Sequence, residues 1–115
     1  ITRDNVHKGV IEKFESLFQD YFKTEQAQLP SVSWCAGQLN LSANYFGDLV
    51  KKETGRSAQE YIQDKVIDMA KERVFDLEKS ISEVAYELGF KCPAHFTGLF
   101  KQKVGVTPVE YRKLN

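Results

Sequence analysis

The apolar positions of this chain recur at steps of three and four along nearly its whole length, and no stretch alternates polar and apolar residues for long enough to make a strand. From Val6 to Phe22 the residues Val6, Val10, Ile11, Phe14, Leu17, Phe18, Tyr21 and Phe22 form one stripe, which predicts an amphipathic helix that needs a partner. Polar residues and Pro30 then end it, and Thr24 to Pro30 reads as a linker. In "SWCAGQLNLS" Ala36 and Leu39 share a face of a short helix starting near Ser31 or Ser33. Asn40 suits the left-handed turn beyond it, and Ser42 suits the N-cap of the next helix. That helix carries Tyr45, Phe46, Leu49 and Val50 on its apolar side and stops at Gly55.

Ser57 and Glu60 have the spacing of a capping box, in which each side chain satisfies a backbone N–H of a new helix. Ile62, Val66, Ile67, Ala70, Val74 and Leu77 keep helical spacing, so one long helix is predicted to reach Asp76. Ser80 and Glu83 repeat the box, Val84, Ala85 and Leu88 lead to a turn at Gly89, and Thr107, Pro108 and Glu110 form a third box after a further helix.

The second half of this pattern repeats the first. Phe46, Leu49, Lys51, Gly55, Glu60 and Tyr61 match Phe96, Leu99, Lys101, Gly105, Glu110 and Tyr111 in register. The predicted fold is therefore all-α: two helix-turn-helix subdomains joined by a long linker helix and preceded by an N-terminal amphipathic helix. The segments are 1–30 for that helix and its linker, 31–56 for the first subdomain, 57–79 for the linker helix and 80–115 for the second subdomain. A chain of 115 residues suits one domain or two small subdomains.

Net charge is zero and the pI is near 6.9, so any electrostatic footprint has to be local. It is segregated. Residues 57–88 hold four basic and eight acidic groups, whereas 42–56 hold three and two, and 89–115 hold five and one. The positive charge gathers at Lys51, Lys52, Arg56, Lys91, Lys101, Lys103, Arg112 and Lys113, on the predicted second helix of each pair and beyond it. Cys35 and Cys92 form no CxxC pair and His7 and His95 lack finger spacing, so both thiols are expected to be buried and no metal or cofactor is expected. No nucleophile, base or metal-ligand constellation supports an enzyme. No apolar run of about 18 residues spans a membrane and no leader pattern is visible, which points to the cytoplasm. The opening Ile1, without an initiator Met, suggests a fragment of a longer protein.

Two short helices joined by a tight turn project the second helix, which has the width of a DNA major groove. A helix over 57–76 would span about 30 Å, close to the roughly 34–36 Å between successive major-groove openings on one face of DNA. Head-to-tail repetition predicts two half-sites read in the same direction.

The stretches "LNLSANYFGDLVKKETGRSAQEYIQDKVIDMAKERV" and "SISEVAYELGFKCPAHFTGLFKQKVGVTPVEYRKLN" resemble the paired helix-turn-helix domain of AraC/XylS-type bacterial transcription regulators. The likeness covers about Ser31 to Leu114 and is most specific at A-x-x-L-G-F, F-x-x-L-F-K and G-V-T-P-x-E-Y-R. It implies double-stranded promoter DNA and RNA polymerase as partners, action as an activator or repressor, and a missing N-terminal sensor or dimerisation domain.

By position, the resemblance gives base reading to Ala43, Asn44, Gly47 and Asp48 on the first recognition helix and to Pro93, Ala94, Thr97 and Gly98 on the second. Phosphate contacts fall to Ser42, Lys51, Lys52, Arg56, Lys91, His95, Lys101 and Lys103. The family often has arginine where this chain has Asp48 and Gly98. Asp48 could accept from a cytosine amino group or repel phosphate, and Pro93 or Ala94 could touch a thymine methyl.

Phe46, Leu49, Val50, Phe96, Leu99, Phe100 and Trp34 are expected to pack, as are Tyr61 and Tyr111, with hydroxyls finding polar partners. The first helix could cover the chain's own core, dock an absent sensor domain or meet a second protomer; the first is expected if the fragment is stable alone. The alternative function is a helical protein-interaction module that keeps the fold with little DNA affinity.

Overall fold

The computed structural model describes residues 3–23 and 29–114, with side chains from Gly9 onward. Val6 and His7 side chains, and residues 24–28 of the predicted linker, lie outside that description. Seven helices and no strand occur among the described residues: α1 (Arg3–Lys23), α2 (Val32–Gln38), α3 (Ala43–Thr54), α4 (Ala58–Arg73), α5 (Ile81–Glu87), α6 (Pro93–Val104) and α7 (Pro108–Lys113). They divide into two units, and the division falls inside α4, between Gln63 and Asp64. Residues of α4 thus fall in both units.

In unit 1 the stripe of α1 turns inward. Phe14, Phe18 and Phe22 are buried one helical turn apart, and the Phe14 ring lies 5.6 Å from Phe46 of α3 and 5.4 Å from Tyr61 of α4. The Tyr61 hydroxyl donates to Glu15 Oε1 at 3.1 Å; burial, then that carboxylate, push its pKa upward. Tyr21 packs edge-on against Trp34 at 4.8 Å. Of the three roles open to the first helix, it covers its own unit's core. Cys35 is buried there, and burial pushes its thiol up to about 11.

In unit 2 the core is Val74, Val84, Ala85, Leu88, Phe90, Phe96 and Phe100. Phe96 and Phe100 lie 5.8 Å apart, and Tyr111 packs on Phe100 at 5.4 Å and on Phe75 at 5.3 Å.

The two tight turns have the same construction. Asn40 takes φ 59°, and the amides of Leu41 and Asn40 donate to the carbonyls of Ala36 and Gly37. Gly89 takes φ 98°, and Phe90 and Gly89 donate to Ala85 and Tyr86. Both are Schellman motifs, which satisfy orphan carbonyls and redirect the chain into the next helix. The second turn holds one residue more, because its N-cap is Cys92 where the first has Ser42. Gly55 and Gly105, both left-handed, end the projecting helices.

The capping box at Ser57 and Glu60 closes in both directions, at 3.1 and 3.2 Å, as does that at Thr107 and Glu110. Bonds from the cap backbone hold both carboxyls below the usual glutamate range. A lowered folded-state pKa stabilises above the unfolded value of about 4.3 and loses that contribution as pH falls through the folded one. At Ser80 only the first half forms, from Glu83 N to Ser80 Oγ.

Five further expectations are corrected. α4 ends at Arg73, not Asp76, because i→i+3 bonds from Phe75 and Asp76 tighten the chain while Asp76 Oδ1 accepts from Glu78 N. At 16 residues α4 is about 24 Å long, shorter than the predicted 30 Å. Leu77, beyond that stop, is 78% exposed, and Tyr45 is half exposed. Cys92 is exposed, not buried.

The helix glycines offer a paired stability test. A Cβ at Gly55 or Gly98 meets nothing within 4 Å, but Gly55 sits at φ 76° whereas Gly98 is helical. Gly55→Ala is expected to cost about 1–2 kcal/mol through backbone strain alone, and Gly98→Ala to gain about 0.5–1 kcal/mol. Urea midpoints of the two variants should move in opposite directions.

Candidate nucleic-acid interface

α3 is aimed by what lies under it. Phe46, Leu49 and Val50, at steps of three and four, are buried, and the Ser42 side chain fixes the start by accepting from Tyr45 N at 3.1 Å. The opposite side is left to Ala43, Asn44, Gly47 and Asp48; Ala43, Asn44 and Asp48 are exposed and Gly47 is half-buried. One turn further on, Lys51 and Lys52 are exposed in the last turn, where the helix dipole favours cations. Arg56 lies 3.5 Å from Glu60, so its charge is shared with the capping box.

α6 repeats the register with different chemistry. Phe96 and Phe100 are buried and Leu99 is half-buried. Ala94 and Gly98 are exposed, and Pro93 and Thr97 half-buried, on the outward side. Pro93 stands at the first helical position, and Cys92 makes no side-chain cap bond. The His95 ring meets Phe90 edge-on at 5.4 Å while the residue stays exposed. Lys91 in the turn and Lys101 in the last turn of α6 are exposed.

Each unit therefore brings its four sequence-predicted reading residues to one outward face. The predicted phosphate set is only partly on offer. Lys103 turns back, its Nζ 2.6 Å from Oδ1 of the half-buried Asp64 with its own side chain 15% exposed, so its charge is engaged inside unit 2. Arg112 is likewise committed: its guanidinium donates to the carbonyls of Val74, Asp76 and Lys79. The cations left outward at the two helices are Lys51, Lys52, Lys91 and Lys101, with Arg56 shared.

Sequence reasoning placed Tyr45 on the apolar side of α3. It is half exposed, three residues after its N-cap, as His95 is after Cys92. The repeat register, pairing Tyr45 with His95, held the signal that could have found it.

Among the described residues no group of three or more His, Cys, Asp or Glu could hold a metal ion, and no helix is long and apolar enough to cross a membrane. Two helix-turn-helix units that each support an outward second helix over a packed core define a DNA-binding transcription-regulator domain, not an enzyme. Residues 35–114 match the helix-turn-helix domain family, and the chain belongs to it, as a domain of the AraC type.

The chain is 35% identical over 86 residues to the transcriptional regulatory protein YesN of Bacillus subtilis (strain 168), covering 72% of this chain and 23% of that protein. It is 26% identical, with a TM-score of 0.78, to the C-terminal domain of AraT, a response regulator from Geobacillus stearothermophilus, covering 92% of this chain and 85% of that one. The DNA-binding domain of AdpA, solved with a target DNA, shares the fold at 21% identity and a TM-score of 0.69, over 94% and 90% of the two chains. The chain thus spans under a quarter of the length of its curated relative YesN.

Proposed function

We propose that this chain is the sequence-specific DNA-binding part of a longer cytoplasmic transcription regulator, an activator working with RNA polymerase, whose sensing or dimerising domain lies outside it. The carrying observation is the pair of outward faces, at equal register on α3 and α6, flanked by the exposed Lys51, Lys52, Lys91 and Lys101. Ala43, Asn44, Gly47 and Asp48 of α3, and Pro93, Ala94, Thr97 and Gly98 of α6, face base edges. Ser42, Lys51, Lys52, Arg56, Lys91, His95 and Lys101 meet phosphates, joined by Tyr45. YesN is a transcriptional regulatory protein and AraT a response regulator, which supports a domain that receives its signal from elsewhere in its chain.

Selection of duplexes from a random library, followed by salt titration of the best one, tests this. Lys101→Ala should weaken all duplexes alike and lower the slope of log K against log salt by about 0.9, the value for one phosphate. Asn44→Ala should leave that slope alone and relax one base position by about 1–3 kcal/mol. Weak duplex binding without a steep salt dependence would favour the interaction module instead.

A further inference from the structure

The two outward faces carry different hydrogen-bonding chemistry. On α3, Asn44 and Asp48 stand one helical turn apart, both exposed, and neither side chain has a partner among the described residues. Asp48 lies within three and four residues of Lys51 and Lys52 yet pairs with neither, so its carboxylate is uncommitted. Gly47 lies between Asn44 and Asp48, and the space where its side chain would be is open. On α6, the equivalent face is Pro93, Ala94, Thr97 and Gly98, with Thr97 its sole hydrogen-bonding side chain and open space above Gly98.

We propose that the two helices read opposite base chemistries, α3 selecting an amino donor through Asp48, with cytosine as the preferred base, and α6 selecting thymine through its methyl group. This rests on the DNA-binding reading above and adds the operator's composition to it. An ionised carboxylate only accepts hydrogen bonds. In the major groove guanine offers O6 and N7, both acceptors, and repels it, whereas cytosine offers its N4 amino donor. Asn44, with both donor and acceptor, matches adenine N6 and N7. The α6 face has little to exchange with amino or carbonyl edges. Its small apolar surface instead fits the thymine C5 methyl, and the absence of a side chain at Gly98 lets the helix approach it closely. The two half-sites therefore differ in composition although the two protein halves are copies, and the operator has distinguishable halves as well as the direction set by the head-to-tail repeat.

The experiment is duplex selection with the whole chain and with Asp48→Ala and Asp48→Asn. Asp48 lies on the exposed face of α3, and circular dichroism verifies that both variants fold. The wild-type chain should enrich cytosine about tenfold at one position of one half-site. Asp48→Ala should erase that preference while keeping every other position, and Asp48→Asn should convert it to adenine. Replacing thymine by deoxyuridine in the other half-site, which removes only the methyl, should weaken binding about fourfold per contacted base. The same replacement in the cytosine-bearing half should have no effect.

Cytosine retained by Asp48→Ala, guanine enriched at that position by the wild type, or deoxyuridine tolerated in both halves would overturn the proposal while leaving DNA binding intact. Absence of any enriched duplex for the wild type would overturn the DNA-binding reading, and this proposal with it.

Discussion

Phe14→Ala should lower the stability of unit 1 by about 3–5 kcal/mol, the cost of emptying a large aromatic site in a packed core. Phe14 is completely buried, and its ring touches Phe18 of its own helix, Phe46 of α3 and Tyr61 of α4. Three elements thus lose their common contact at once. Small domains hold about 5–15 kcal/mol in total, so the variant stands near the edge of folding. With an m-value of about 2 kcal/mol per molar, the urea midpoint should fall by about 2 M. Hydrogen exchange should locate the loss in α1 and α3, since α6 rests on a different set of phenylalanines. A loss below about 1 kcal/mol would show that α1 merely lies against the unit.

Arg112→Ala should cost about 2–3 kcal/mol, an effect that charge counting alone would have assigned to DNA affinity. The guanidinium of Arg112, on α7, gathers carbonyls of Val74, Asp76 and Lys79, the stretch through which the chain leaves α4 and enters α5. Removing it takes a donor from each of those carbonyls, of which Asp76 keeps the Lys79 N–H, and frees the segment to fray. Arg112→Lys should recover little, because a single ammonium cannot reproduce a planar fork aimed at three acceptors. Urea denaturation gives the stability change. Salt titration of duplex binding should give an unchanged slope, whereas a slope lower by about 0.9 would show that Arg112 touches phosphate after all.

The residues that were legible in the sequence act locally. Ser42, Ser57 and Thr107 cap helices within three residues of themselves, and Gly55 and Asn40 take conformations that their own side chains, or lack of one, allow. The spacing of Phe46, Leu49 and Val50 fixed the buried side of α3 and, by exclusion, the side carrying Asn44 and Asp48. What escaped depended on distant partners. Lys103 meets Asp64 across 39 positions, and Arg112 meets carbonyls more than 30 positions away. Nothing in the local pattern separates such a cation from one that faces solvent. Leu77 escaped because it lies past the end of α4, where helical spacing no longer applies, and Tyr45 escaped for a related reason. Periodicity says which direction an apolar side chain points, not whether a neighbour reaches far enough to cover it.

The extra residue in the second turn bears on how the two copies were able to diverge. One residue added inside an α-helix rotates everything after it by about 100°, which within α6 would swing Phe100 out of the core and Thr97 under it. Placed between Phe90 and the start of α6, after the carbonyls of α5 are satisfied and before the next cap, the same addition rotates nothing that is packed. The turn is thus a seam where chain length can drift without scrambling either face. A single residue inserted after Leu41 should be tolerated for the same reason, and one inserted after Phe46 should not.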